Sequence, residues 1–406
     1  IPSFFKNRYR DHKNIIKIVS APIIAVFFTV YTASAFSSGA KLFATLFSDS
    51  ASGDKNYNQV YVIGLIVAAV VILVYTFMGG FKAVCTTDLI QGLMMIVAIL
   101  SVPVLAYAIL TFDTSFSSAL AAKGVEQPAQ FLNFFVNGDG TPVSAVSIIS
   151  NLAWGLGYFG MPHILVRFMA VKSNEEIKKS RKIAVVWVII SLTASCLIGL
   201  IARGYLTAQL DDATSESVFI RTIQQLFSGN GVLIFIGGIF LCGILAAIMS
   251  TADSQLLVTA SAYKGAVKKN ASEKSSLLVG KIAVAVVAVI AFFIALNPKS
   301  SIMGLVSDAW AGFGSAFGPV VLLALFWKRS TLSGAISGMA TGALTVIIWD
   351  YIPLVNGQTL YAATNLYSLV VGFGLALIVN VIVSLLSKKP SKEIMDEFDS
   401  IKNIEV

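Results

Sequence analysis

Charge is scarce in this chain: only 12% of its 406 residues are Asp, Glu, Lys or Arg, and only two are histidine, His12 and His163. So little charge excludes an ordinary soluble domain, whose surface needs about a quarter of its residues charged. Cysteine is nearly absent too. Cys85, Cys196 and Cys242 lie in or at the edge of apolar segments without metal-type spacing, which argues against a disulfide framework or a zinc site and makes them small packing residues. There is no Gly-Lys-Ser/Thr phosphate cradle, no HExxH motif and no paired-carboxylate motif, so no enzyme constellation emerges. Without an ATPase motif, any pumping has to run on an ion gradient.

What the chain has in abundance is apolar sequence: 56% of its residues are hydrophobic and its mean hydropathy is +0.82. These values place it among all-α polytopic membrane proteins. The net charge of +8 does not suggest nucleic acid, because the Lys and Arg residues sit in short segments between apolar runs and read as topology signals. The start, Ile1-Pro2-Ser3, has neither an initiator Met nor a signal-peptide pattern, and leads us to expect a missing upstream segment.

Each bilayer crossing needs roughly 20 apolar residues in helix, and ten candidates occur in a single transmembrane domain over 1–406: 15–47, 59–78, 84–111, 145–169, 183–207, 231–262, 277–296, 301–327, 333–352 and 364–387. Loop charge supplies an independent ordering, since Lys and Arg concentrate in short cytoplasmic loops. The segment before the first span and the exits of every even-numbered span are basic: Lys82, then Arg167 to Lys182, Lys264 to Lys274, Lys328 with Arg329, and Lys388 to Lys392. The alternate loops carry Asp49, Asp54, Asp113, Glu126, Asp139, Asp211, Asp212 and Glu216. Both ends are therefore expected on the cytoplasmic side, with 388–406 as a cytoplasmic tail. Ser217 to Phe227 is amphipathic and too short to span, and is expected to lie at the outer surface as a cap or gate.

Several polar features interrupt the apolar spans. Ser250-Thr251-Ala252-Asp253-Ser254-Gln255 lies deep in the sixth, where a carboxylate costs about 2.5 to 3.5 kcal/mol to insert and so faces a cavity, an ion or a partner. Ser250, Asp253 and Ser254 share a helix face by the i, i+3, i+4 rule, and the Ala247 carbonyl lies one turn back. A cation site reads most directly from these oxygens; the other account is a helix packed through small residues whose hydroxyls bond the preceding turn. Asp88, at the start of the third span, reads either as a helix cap or as a cation relay. The fourth span holds Trp154-Gly155-Leu156-Gly157-Tyr158-Phe159-Gly160-Met161-Pro162-His163, and three glycines with a proline predict a broken helix at membrane depth, a candidate binding site. An ordinary proline kink is the alternative. Trp154 and Tyr158, four apart, fit one aromatic wall or plain packing. His163 has no partner for a metal, and Asp308 in the eighth span fits either a gate or a wet interfacial carboxylate.

The runs Gly79 to Gln91, Trp154 to Met169, Ala246 to Leu257 and Ala309 to Pro319 resemble the sodium/solute symporter family, and within it the bacterial proline branch. The resemblance extends over essentially the whole chain. It implies thirteen helices around a five-plus-five inverted-repeat core, of which about three N-terminal helices are expected to be absent here. It further implies sodium-coupled uptake of L-proline by alternating access across the bacterial cytoplasmic membrane. Sodium and membrane lipid are then the partners, with no nucleic acid and no obligate protein partner. By matching positions, Ser250, Thr251 and the Ala247 carbonyl are implied sodium ligands. Tyr31, Trp154, Tyr158 and Pro162 are implied substrate-site residues, and Asp88, Asp253 and Ser254 a possible second cation site. Met161 stands where the best-known proline symporters carry Gln, which keeps another amino acid or pantothenate open as substrate. A transporter-like sensor or channel is the reading from a different class.

Overall fold

The computed structural model describes residues 1–48, 55–78, 81–212, 214–266 and 273–402. Asp49, Asp54, Gly79, Gly80, Lys268 and Lys269 lie outside the described residues, as does the side chain of Lys264. Among the described residues sixteen α-helices follow one another: α1 (Pro2–Arg8), α2 (Ile15–Phe47), α3 (Lys55–Met78), α4 (Phe81–Asp113), α5 (Phe116–Ala122), α6 (Ala145–Gly157), α7 (Pro162–Met169), α8 (Asn174–Tyr205), α9 (Val218–Leu226), α10 (Gly231–Ala266), α11 (Glu273–Ala295), α12 (Ile302–Phe326), α13 (Leu332–Tyr351), α14 (Leu360–Thr364), α15 (Ser368–Leu386) and α16 (Lys392–Lys402). The named strands, β1 (Pro353–Val355) and β2 (Gln358–Thr359), form a short antiparallel hairpin before α14.

Nine of these helices, among the described residues, are long and apolar enough to cross a membrane. The chain is a multi-pass membrane protein. The fourth of the ten segments anticipated from the sequence, 145–169, differs from the rest because it is two helices, α6 and α7, and each alone is too short to span. Helix starts are fixed by local polar groups. At α2 the buried Asp11 carboxylate accepts the backbone N–H groups of Lys13 at 3.1 Å and Ile16 at 2.8 Å. Ser144, Ser173, Ser301 and Thr331 cap α6, α8, α12 and α13 through their hydroxyl oxygens.

Two spans organise the bundle. α2 packs against α3, α10, α11 and α12, and α12 against α2, α6, α13 and α15. α12 is the most enclosed span and α8 the least, so α12 runs through the protein and α8 faces outward. One apolar cluster joins the first half of α2 to α12, α13, α15 and the α6–α7 region; a second joins the later half of α2 to α3, α10 and α11. α10 touches both clusters, which sets it between the broken span and the α3–α11 side.

Where α2 nears its end and α12 begins, Lys41 and Glu216 form an ion pair of 2.6 Å. The Lys41 ammonium also donates to the Ser300 carbonyl at 2.8 Å, and Glu216 accepts from the Ser301 hydroxyl at 2.9 Å and the Met303 N–H at 3.2 Å. Burial pulls the Glu216 carboxyl upward, but the Lys41 charge and these hydrogen bonds outweigh it and hold its pKa below the ordinary glutamate value. A lowered pKa in the folded state means that the stabilisation is complete above the unfolded-state pKa and disappears as pH falls through the folded one. Glu216→Gln is therefore expected to lower stability by about 1 to 3 kcal/mol at pH 7. In denaturant unfolding in detergent, the gap to wild type should narrow only as the pH falls below the ordinary glutamate value and on through the lower folded one. A gap of constant size across that range would mean that the pair does not set the stability of this joint.

Candidate functional site

The break between α6 and α7 follows from its residues. α6 ends at Gly157, and the Tyr158 N–H bonds the Leu156 carbonyl rather than the carbonyl four residues back. Phe159 and Gly160 donate to Leu156 and Gly157 at 3.3 and 2.9 Å, a tightened turn that stops the helix. Met161 is extended, with φ −76° and ψ 108°, and Pro162 opens α7, where its missing N–H costs nothing. The turn leaves the Trp154 carbonyl without its helical donor, and the indole N–H of Trp310 from α12 takes it at 2.9 Å. α12 can approach this closely because Gly157 and Gly160 have no side chains: a Cβ on Gly157 would strike the Trp310 indole, and one on Gly160 the Phe313 carbonyl.

Around the break stand aromatic residues from four spans. Trp154 stacks on Tyr367 with ring centroids 5.5 Å apart, and Tyr158 meets Trp310 edge-on at 5.0 Å. Met161 and Pro162 are buried. Tyr31, half-buried on α2, lies at the α7 side, with its ring 6.0 Å from His163. The sequence-derived substrate residues thus fall into two groups, Trp154 with Tyr158 before the break and Tyr31 with Met161 and Pro162 at or after it.

On α10 the Ser250 and Thr251 hydroxyls both donate to the Ala247 carbonyl, at 3.1 and 2.9 Å. Hydroxyls bonded back to the preceding turn are ordinary for Ser and Thr in a helix. The same geometry holds three oxygens within one turn, and a set made only of oxygen suits a hard cation. None of the three residues is fully buried or fully exposed.

One turn further on, Asp88, Arg167 and Ser254 join α4, α7 and α10. The Arg167 guanidinium donates to Asp88 Oδ2 at 2.5 Å and to the Ser254 hydroxyl oxygen at 2.6 Å. Asp253 and Gln255 are wholly buried beside it, and Thr32 donates to Gln255 Oε1 at 3.4 Å. Asp88 Oδ1 and Asp253 Oδ2 are buried without a hydrogen-bond partner, so the group has acceptor capacity left over. His163, Val166 and Arg167 face Ser254, Leu257 and Val258 across a gap of about 10 Å³, at the lower limit for a single water.

A broken span braced by α12 beside a hydroxyl-lined α10 agrees with what family comparison finds, since residues 1–342 match the sodium:solute symporter family. The chain belongs to that family. Curated relatives include the sodium/proline symporter 2 of Staphylococcus saprophyticus subsp. saprophyticus, 41% identical over all of this chain and 76% of its own length, and the sodium/proline symporter of Staphylococcus aureus, 40% identical over the same shares. Among solved structures, a substrate-bound, outward-open Na+-coupled sialic acid symporter superposes with a TM-score of 0.67 at 18% identity, over 96% of this chain and 78% of the other. The all-helical, inverted-repeat fold class expected for sodium:solute symporters is the fold shared with that structure.

Three contributors were not singled out from sequence. Arg167 counted there only as a loop cation; its position four residues after His163, inside the apolar run, was the available signal that it faces protein. Trp310 stood in a quoted motif without a role, and Tyr367, at the start of α15, had no local signal at all. Asp308, read as a gate or a wet carboxylate, accepts a hydrogen bond from the Tyr351 hydroxyl of α13, so it joins two spans.

Proposed function

We propose that this sodium:solute symporter couples sodium entry to uptake of L-proline across the bacterial cytoplasmic membrane by alternating access, with its C-terminus cytoplasmic. The observation that carries this reading is the broken span, which presents Trp154 and Tyr158 at a freed helix end while α7 lies against α10. The two relatives named as sodium/proline symporters, each about 40% identical along the whole chain, support proline as the solute. On this reading Trp154, Tyr158, Tyr31, Met161 and Pro162 contact or shape the solute site. Ser250, Thr251 and the Ala247 carbonyl hold sodium, and Asp88, Asp253 and Ser254 supply a second cation position.

The energetics suffice for concentrative uptake. One positive charge moving through 100 mV supplies about 2.3 kcal/mol, and a tenfold sodium gradient adds about 1.4 kcal/mol, enough for several hundredfold accumulation. In full-length protein reconstituted into liposomes, Trp154→Ala is expected to raise the KM for proline about tenfold, since a half-buried aromatic contact of about 1 to 2 kcal/mol is lost. Wild-type kinetics in that variant would take Trp154 out of the site. Competition of labelled proline with other amino acids and pantothenate tests the solute assignment, and passive conductance without concentrative uptake would replace the symporter by a channel.

A further inference from the structure

The broken span exposes a backbone group whose partner is far away in sequence. The Trp154 carbonyl loses its helical donor because the Tyr158 N–H turns to Leu156, and a carbonyl in a low-dielectric setting needs a replacement. The replacement is the indole of Trp310, 8% exposed, 156 residues further along, at 2.9 Å. The same ring meets Trp154 at 5.9 Å and Tyr158 edge-on at 5.0 Å, and it fills the space left by Gly157. One side chain thus satisfies the helix end and braces both aromatics that precede the break.

We propose that Trp310 is a positioning residue of the solute site, setting the placement of Trp154 and Tyr158 through its hydrogen bond to the Trp154 carbonyl and its ring contacts. This rests on the reading that Trp154 lines that site. It is a specificity device as well: because α12 carries the indole, the solute wall takes its register from α12 rather than from the glycine-weakened backbone around it. Loss of the N–H lets the helix end seek another donor and shifts the wall, while the ion site on α10 is untouched by the change.

The test uses full-length protein in proteoliposomes with an imposed sodium gradient and proline as the probe. Trp310→Phe keeps an aromatic ring and removes the N–H. The expected result is a KM for proline raised about tenfold, with Vmax per unit of protein within about twofold of wild type. A role in folding alone would lower Vmax through the amount of active protein and leave KM in place, which overturns the proposal. In the double variant with Trp154→Ala, the rise in KM should fall short of the product of the two single effects, because Trp310 acts in part through a ring already removed; effects that multiply overturn it. A raised KM in Trp154→Ala with none in Trp310→Phe sinks only the role of Trp310. No change in Trp154→Ala sinks the solute-site reading, and the role of Trp310 with it. Should Trp310→Phe fail to reach the membrane, Trp310→Leu, which also lacks a donor, carries the same two outcomes.

Discussion

Replacing Thr251 by alanine is expected to raise the sodium concentration for half-maximal uptake at least tenfold while leaving the amount of folded protein near wild type. The hydroxyl of Thr251 and that of Ser250 converge on the Ala247 carbonyl, at 2.9 and 3.1 Å. A polar contact to a charged partner contributes about 1.5 to 3 kcal/mol, which corresponds to a ten- to hundredfold weaker ion site. Folding should change little, because the hydroxyl bonds only its own helix and alanine is the better helix former by up to about 0.7 kcal/mol. Thr251→Ser keeps the oxygen and should restore most of the sodium affinity. Sodium-activation curves of uptake decide the matter: overlap of Thr251→Ala with wild type, or failure of Thr251→Ser to recover it, removes this hydroxyl from the ion site.

Gly160→Ala is expected to abolish uptake and lower the amount of stable protein, whereas Gly155→Ala, five residues earlier in the same segment, should be tolerated. A Cβ on Gly160 would run into the Phe313 carbonyl and come within 2.9 Å of the Gly314 Cα. Both are backbone atoms of α12, the most enclosed span, so no rotamer change relieves the clash and the broken span has to move off α12. Overpacking of this kind costs about 1 to 3 kcal/mol and sometimes more, and here it also displaces the residues on either side of the break. A Cβ on Gly155 meets nothing within 4 Å, and alanine there gains roughly 1 kcal/mol of helix propensity. The pair is checked by membrane accumulation, thermal unfolding in detergent and proline uptake. Equal behaviour of the two variants would mean that the approach of α12 to the break is not what fixes this segment.

Some of the site was legible because its cause is local. Gly157, Gly160 and Pro162 weaken a helix wherever they stand close together, and the helix stops and restarts between Gly157 and Pro162. The back-bonding of the Ser250 and Thr251 hydroxyls to the preceding turn was legible for the same reason, since they sit one turn from the carbonyl they bond. Arg167 was not. Its basic character fitted a cytoplasmic loop equally well, and its partners Asp88 and Ser254 are 79 and 87 residues away. The role of Trp310 was hidden likewise, because a tryptophan amid glycines suits both tight packing and lipid, and nothing near it in sequence names the carbonyl it meets.

The amino-acid order alone determined the membrane class, the place where one apolar segment breaks and the hydroxyl-bearing turn of α10. Each of these follows from propensities and spacings that act within a few residues. Tertiary structure alone decided that α12 supplies the donor for the broken helix, that Arg167 binds α4 to α10, and that Lys41 and Glu216 join the ends of distant spans. In spans this uniformly apolar, the hydrophobic pattern barely distinguishes one helix face from another; close packing and the need to satisfy each buried polar group select the faces that meet.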